Sequence, residues 1–244
     1  MGWIVASNRP NYGADMCGRY DNLIAREAYR LLFGAGRLPQ SNFPPRYNIA
    51  PTDPHWIVRM QYEEREILPA KWGLVNAWAK DSKRAAKQIN ARAESIATNA
   101  AFRDAFARRR CVVPADGFYE WIGAGATRQP IWFHRPEGGL LLFAGLYESW
   151  PATPDNWQRT FTIITTAPNR IVAPVHNRMP VILAGDAVDR WLDPKEDNTE
   201  SLRELLVPAR DGVLAGRSVS QRVNSVRNDD AACLEPAEAA QRLL

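Results

Sequence analysis

Cys111-Val112-Val113-Pro114-Ala115-Asp116-Gly117-Phe118-Tyr119-Glu120-Trp121-Ile122 carries two strand signatures within twelve residues. The short apolar run closed by Pro114 reads as a buried strand, which makes Cys111 a core residue, and the aromatic run from Phe118 reads as a second. Gly123-Ala124-Gly125-Ala126 then turns into Pro130-Ile131-Trp132-Phe133-His134. Pro136-Glu137-Gly138-Gly139 turns into Leu140 to Leu146, and a polar loop leads to Thr160-Phe161-Thr162-Ile163-Ile164-Thr165-Thr166. Four apolar strands from Phe118 onward, with close turns between them, imply a curved sheet or a barrel-like core.

Toward the N-terminus, Asn99 caps a predicted helix over 99–107, and Ile89 to Glu94 reads as an extended or turn segment. Trp56 to Met60 and Ile67 to Leu74 read as a hairpin turning at 63–66, preceded by an extended Arg46-Tyr47-Asn48-Ile49-Ala50-Pro51-Thr52. Leu23, Ile24, Ala28, Leu31 and Leu32 recur at helical spacing, with Asp21 or Asn22 as cap and Gly34 and Gly36 as terminators. Residues 1–15 have no apolar period and read as a disordered or removable extension. Toward the C-terminus, Val181-Ile182-Leu183 follows a proline-bounded loop. Two short helices are predicted at 186–192 and 201–206, a last strand at 219–226, and a small helix or frayed tail at 231–244. No internal repeat or flexible linker divides the chain.

The 244 residues are 45% hydrophobic and 24% charged, with nine Trp and eight Phe, which excludes a disordered chain and supplies ample core. No apolar run reaches membrane-spanning length, and the opening lacks a secretory pattern, so a cytoplasmic, nucleoid-associated protein without membrane contact is expected. Cys17, Cys111 and Cys233 form no CxxC pair, and His55, His134 and His176 show no HxxxH spacing, so no structural zinc, other metal or cofactor is expected. Net charge is +4, yet Lys80 to Arg110 carries nine basic residues (Arg84 and Arg92 among them) against three acids, leaving the remainder at −2. Such a segment is either a polyanion footprint or a solvated helix face. Trp72 at a strand end reads as core, whereas Trp78 in a polar context suits stacking on single-stranded bases.

Three residues have the chemistry of a site. In Met16-Cys17-Gly18-Arg19-Tyr20, removal of everything before Cys17 would leave an amine and a thiol two carbons apart, both usable near neutrality and able to close a thiazolidine ring on an aldehyde. Judged by residue type alone, a buried inert cysteine is the simpler reading. Glu120 among Phe118, Tyr119 and Trp121 is either a desolvated acid/base or the outward residue of a strand. His176 lies in the proline-bounded loop Pro174-Val175-His176-Asn177-Arg178-Met179-Pro180, a setting that carries function more often than strands do.

Taken together, Met16-Cys-Gly-Arg-Tyr, Arg46-Tyr-Asn-Ile-Ala-Pro, Trp72-Gly, Ile89-Asn-Ala-Arg-Ala-Glu, Pro114-Ala-Asp-Gly-Phe-Tyr-Glu-Trp, Thr165-Thr-Ala, Val175-His-Asn-Arg-Met-Pro and Val223-Asn-Ser-Val resemble the SOS-response-associated peptidase family. Each motif is weak alone; eight in order from Cys17 to about Asn228 are specific. The resemblance implies an α+β fold: a β-rich single domain, here 17–230, with a barrel-like mixed sheet core and flanking short helices. It implies a sensor of abasic sites in single-stranded DNA that forms a covalent crosslink and shields the lesion during replication and the SOS response. Cys17 would be the crosslinking residue and Asn90 would hold it and the sugar. Glu120 would move protons and assist reversal, and His176 would serve the sugar hydroxyl. Arg19 and Arg92 would bind flanking phosphates, with Asn48 and Pro51 lining the site.

For that chemistry Cys17 must lose its amide bond, through initiation at Met16 or removal of 1–16, by the protein itself or otherwise. A cysteine peptidase or amidohydrolase using Cys17, His176 and Asn90 is the alternative, and a noncatalytic single-strand-binding module using Trp78 and the basic segment is a third. A monomer whose partner is single-stranded DNA is expected.

Overall fold

The computed structural model describes residues 17–35, 42–83, 87–153 and 156–237. The expectations for residues 1–15, Gly36, Arg84 and the end of the tail fall outside these. The first half runs β1 (Tyr20–Asn22), α1 (Arg26–Phe33), β2 (Arg46–Ile49), β3 (Pro54–Gln61), β4 (Glu64–Trp72), β5 (Asn90–Arg92) and α2 (Arg103–Arg108). There follow β6 (Arg110–Ala115), β7 (Gly117–Ile122), β8 (Gln129–His134), β9 (Leu141–Thr153), β10 (Asn156–Thr166), β11 (Met179–Pro180) and β12 (Ile182–Leu183). The last elements are α3 (Asp186–Leu192), α4 (Thr199–Arg203) and β13 (Ala215–Ser218).

The expected barrel is present. Strands β10, β4, β3, β6 and β9 are successive neighbours, and β9 pairs back onto β10, closing the ring. It is mixed because β4 and β5 lie parallel to β10 while the other ring pairs are antiparallel. Closure is tight at Gly145, opposite both Cys111 and Ile163: a Cβ there would lie 3.0 Å from Cys111 Sγ and from the Thr162 carbonyl. A second, five-stranded sheet has the order β13-β8-β7-β1-β2.

The side-chain period of two divides the interior. Along β6, Cys111, Val113 and Ala115 pack with Tyr20, Phe118 and Phe133 of the second sheet. Val112 faces the other way, with Trp56, Ala144 and Ile164, toward Tyr29 and Phe33 of α1, Phe106 of α2 and Trp191 of α3. Each barrel strand is thus covered on both faces, and β6 is buried throughout.

Several boundaries differ from the sequence reading. Asp21 and Asn22 are not helix caps; they are buried in β1, and the helix begins after Ala25. Gly34 does end it, at φ 58°. The β3–β4 turn sits earlier than expected, at Tyr62 and Glu63, which take φ 49° and 63° and so form the left-handed pair of a tight hairpin. Residues 147–153 and 156–159 are no polar loop, because β9 continues to Thr153 and β10 starts at Asn156. The alternation at 219–226 is no strand either: the last strand is β13, and Gln221–Asn224 is a 3₁₀ turn started by the Ser220 side chain, which accepts from Arg222 N–H.

The basic segment is partly structural. Arg110 is buried and donates to the carbonyls of Phe106, Ala107, Trp191, Asp193 and Glu196, welding α2 to the end of α3. Arg109 pairs with Glu148 at 2.7 Å. These two cations hold the fold together rather than facing a ligand. Among the described residues no helix is long and apolar enough to cross a membrane.

Candidate active site

The register between β1 and β7 brings Cys17 to Glu120. Tyr20 pairs with Phe118 and Asp21 with Gly117, and Tyr119 N–H donates to the Arg19 carbonyl, so the chain leaving β1 backward runs along the far half of β7. Cys17 N–H then donates to Glu120 Oε1 at 2.8 Å. Cys17 takes φ 43°, a left-handed conformation costing a residue with a Cβ about 1–2 kcal/mol. Strain of this kind persists where surrounding contacts over-determine it, as they do at many functional sites.

The third member comes from the loop between β10 and β11. His176 Nδ1 lies 3.7 Å from Glu120 Oε1, and Cys17 Sγ lies 4.0 Å from the Arg178 carbonyl. His176 Nδ1 lies 3.1 Å from the Arg178 N–H and 3.2 Å from the Arg178 carbonyl, so the Nε2-protonated ring accepts from the first and the Nδ1-protonated ring donates to the second. The loop is fixed by the Arg178 guanidinium, which grips Glu94 through two bonds of 2.5 and 2.9 Å and donates to the Thr165 carbonyl. Cys17, Glu120 and His176 are each no more than 5% exposed.

Burial controls the protonation of all three. It pushes the Glu120 carboxyl up to about 8, against hydrogen bonds from the Cys17 thiol and N–H and the positive charge of Arg128. It pushes the Cys17 thiol well above its ordinary range, helped by the charge of Glu120 and by the thiol's hydrogen bond to it. His176 is lowered, again chiefly by burial. Near neutrality the cluster therefore holds a thiol, a carboxyl carrying its proton much of the time and a neutral imidazole. It is a reservoir of transferable protons around one sulfur and one nitrogen. The carboxyl faces both Cys17 groups, so Glu120 is a buried, inward carboxyl rather than an outward strand residue.

The remaining sequence-predicted residues are dispersed around this centre. Asn90 opens β5 opposite Ile163, and Ile89 beside it lines a groove of about 240 Å³ together with Gly18, Arg19, Ala50, Pro51, Trp121, Arg128 and Val226. Pro51 and Arg19 thus lie at the groove. Arg19 Nη1 donates to Asn48 Oδ1 at 2.8 Å and to the Val223 carbonyl at 2.9 Å. Asn48 is fully buried: its amide also donates to the carbonyls of Val223, Ser225 and Asn228, so it sits behind Arg19 as a clasp and not on the groove wall. Arg92 is exposed at the end of β5. Trp78 is 69% exposed and lines a separate groove of about 330 Å³ with Asn76, Lys80 and Gln88. Residues 88 and 89 are consecutive, so one backbone step separates the two grooves.

Arg128, Trp121 as a groove wall, and Asp229, which accepts from Tyr47 N–H and Asn48 N–H at 2.6 and 2.9 Å, escaped sequence reading. Arg128 lies two residues before the strand predicted from Pro130 and could have been found as a cation at a hairpin end; Asp229 carries no local signal. Among the described residues no three His, Cys, Asp or Glu side chains converge in a metal-binding arrangement.

A buried thiol and carboxyl brought together on the second sheet, met by a histidine loop from the mixed barrel, mark an α+β protein centred on a cysteine. The family model for SOS response associated peptidase (SRAP) matches residues 16–226, and the chain belongs to that family. Among individual relatives it is 37% identical to the abasic site processing protein YoaM of Bacillus subtilis, over 90% of this chain and 98% of that one. It is 34% identical to the abasic site processing protein HMCES of Mus musculus, over 91% of this chain and 76% of that one. A solved protein of Bacteroides thetaiotaomicron superposes with a TM-score of 0.80 over 91% of this chain and all of its own, at 23% identity. One from Bordetella bronchiseptica gives 0.71 over 84% of this chain and all of its own, at 26% identity.

Proposed function

We propose that this protein processes abasic sites in single-stranded DNA by trapping the ring-opened sugar aldehyde on Cys17 as a thiazolidine, covering the lesion during replication. The observation that carries this reading is the Glu120 carboxyl facing both reactive groups of Cys17, 2.8 Å from its nitrogen. In the full chain that nitrogen is an amide, so the reaction requires Cys17 as first residue, through initiation at Met16 and loss of that methionine or through cleavage of the preceding segment. Residues 17–230 then form the working unit, acting as a monomer.

The amine attacks the aldehyde carbon and forms the C–N bond, while the carbonyl electron pair moves to oxygen, which takes the proton that the nitrogen gives up. Glu120 gives its proton to the resulting hydroxyl, which leaves as water, and an iminium remains. The thiol surrenders its proton to the Glu120 carboxylate, sulfur bonds to the iminium carbon, and the C=N pair returns to nitrogen. One water is lost and nothing is oxidised or reduced. A carboxyl near 8 suits both directions of transfer at neutral pH and, in reverse, ring opening and release. His176 presents its Nε2 proton to the sugar hydroxyl, and Asn90 hydrogen-bonds the sugar. Arg19 and Arg92 meet flanking phosphates and Trp78 stacks on a base.

The protonation of the site argues against a peptidase reading. A nucleophilic cysteine needs a lowered pKa and a cationic neighbour, whereas the Cys17 thiol is raised by burial and by a carboxylate. Protein beginning at Cys17 and the full chain should be incubated with single-stranded DNA carrying one abasic site, then read by denaturing gel and intact mass. An adduct lighter than the sum of its parts by one water, formed only by the Cys17-start protein, is expected. No adduct from a verified Cys17 N-terminus would refute the mechanism.

A further inference from the structure

Arg128 lies where the β7–β8 hairpin re-enters its sheet, and its guanidinium carbon stands 4.4 Å from the centre of the Trp121 ring. Arg19 approaches the same ring at 5.7 Å, and all three residues line the groove beside Gly18. The platform is rigid. Trp121 Nε1–H donates to Asn224 Oδ1 at 2.7 Å, and the Asn224 amide donates to the carbonyls of Ala126 and Arg128, both at 3.0 Å. Gln221 adds a bond to the Thr127 carbonyl at 3.1 Å, so the hairpin end is clasped to the 3₁₀ turn.

The two cations differ in what they can still offer. Arg19 spends Nη1 on Asn48 and Val223. The Arg128 guanidinium makes no hydrogen bond or ion pair among the described residues. A guanidinium lying on an indole face uses its π surface for stacking and leaves its in-plane N–H fork free, which is the geometry that binds phosphate bidentately. The two charges also repel each other. Burial lowers the Arg19 pKa first and the positive charge of Arg128 lowers it further, a repulsion that an anion between them would relieve, while Asp53 pulls that pKa back up.

We propose that Arg128, seated on Trp121 and backed by Arg19, is the binding site for one phosphodiester of the DNA strand next to the reacting sugar. This rests on the abasic-DNA reading above. Arg128 makes the direct contact to this phosphodiester; Arg19, with Nη1 tied to Asn48, adds its charge here and keeps its remaining donors for a neighbouring phosphate. Its function is to seat the strand before any bond forms, so it acts on substrate that cannot crosslink.

The test uses the full chain and single-stranded DNA carrying tetrahydrofuran, an abasic analogue without an aldehyde, with affinity measured over a range of NaCl concentrations. Arg128→Gln should weaken binding about tenfold and reduce the slope of log K against log salt by about 0.7, the loss of one single-strand phosphate contact. Arg128→Lys should restore most of the slope but not all the affinity, since it keeps the charge and loses the fork. In the unaltered protein, a walk of neutral methylphosphonates along the strand should find one position near the lesion whose neutralisation matches the loss in Arg128→Gln and adds nothing to it. An unchanged slope, or additive losses at every position, would mean that Arg128 only braces Trp121 and would overturn the proposal while leaving the abasic-site reading intact. Failure of the unaltered protein to bind abasic DNA at any salt would remove both.

Discussion

The Cys17 nitrogen lies 2.8 Å from Glu120 Oε1, a contact that spans 103 residues of sequence and is made in a site from which water is nearly excluded. When that nitrogen is a free amine, it and the carboxyl interact too strongly to titrate independently. Glu120→Gln should therefore slow adduct formation by about 10²–10⁴-fold. It should also remove one of two ionisations from the pH–rate profile, measured by quenched gel assay between pH 5 and 9. A profile that keeps both would reassign the proton transfer to another group.

His176 is held with its Nδ1 3.1 Å from Arg178 N–H and 3.2 Å from the Arg178 carbonyl, and the proposed donation to the sugar needs the tautomer with its proton on Nε2, which accepts from that N–H. Nitrogen NMR of ring-labelled protein at pH 8 should show that tautomer. His176→Ala should lower the crosslinking rate while leaving affinity for tetrahydrofuran DNA within about twofold, as expected of a group that acts after binding. A large loss of affinity would instead make His176 a binding residue.

Trp78 is exposed and polar-flanked, one backbone step from the groove beside Gly18 and Arg19. Trp78→Ala should leave thermal stability unchanged and weaken single-stranded DNA binding by about 1–3 kcal/mol, the usual worth of a stacked base. Equal affinity of the two proteins would assign that groove another use.

Arg110 belongs to the same basic segment but is buried under five carbonyls. Arg110→Met should cost about 3 kcal/mol or more in denaturant unfolding, because those acceptors lose a charged donor. The salt dependence of DNA binding by the folded fraction should stay as it was. A reduced slope would return Arg110 to the DNA surface.

Asp21 is a second buried carboxyl, raised to about 8 by burial despite its hydrogen bond from Trp132 Nε1–H. Its folded pKa exceeds its ordinary value of 3.8, so the folded state holds the proton more tightly. The stability it contributes is complete below pH 3.8 and is lost progressively as pH rises to about 8. Asp21→Asn should flatten the decline in stability between pH 5 and 8, measured by urea midpoints. A decline identical to that of the unaltered protein would show that Asp21 is ionised when folded.

The sequence made the barrel legible because its strands are apolar, short and punctuated by glycine and proline. It could not decide Glu120. Alternation tells inside from outside only when one sheet face meets water, and β7 is covered on both faces over Gly117 to Glu120. A different limit hid the length of β9 and β10: the outer end of β10 is polar and exposed, and that of β9 mixes Glu148, Ser149 and Pro151 with its apolar residues, so together they look like a loop. At Val219 to Val226 the alternation was real but was overridden by Ser220 capping and by Asn224, whose side chain is committed to Trp121 and the hairpin. Charge clustering likewise could not distinguish Arg92 at the surface from Arg110 beneath it, since that depends on which carbonyls α3 brings to the end of α2. The Cys17, Glu120 and His176 motifs were legible one by one; their convergence depends on register across two sheets.

Strand β1 lies between β7 and β2, in the interior of its sheet rather than at an edge. A nascent chain therefore releases Cys17 from the ribosome 103 residues before the Glu120 that will cover it. At ordinary rates of synthesis the interval is roughly 5–20 s. In a chain initiated at Met16 the N-terminus is open to an aminopeptidase at the exit tunnel throughout it, and once β7 arrives Cys17 is covered. The order of translation thus gives any trimming at Met16 a window that closes with folding.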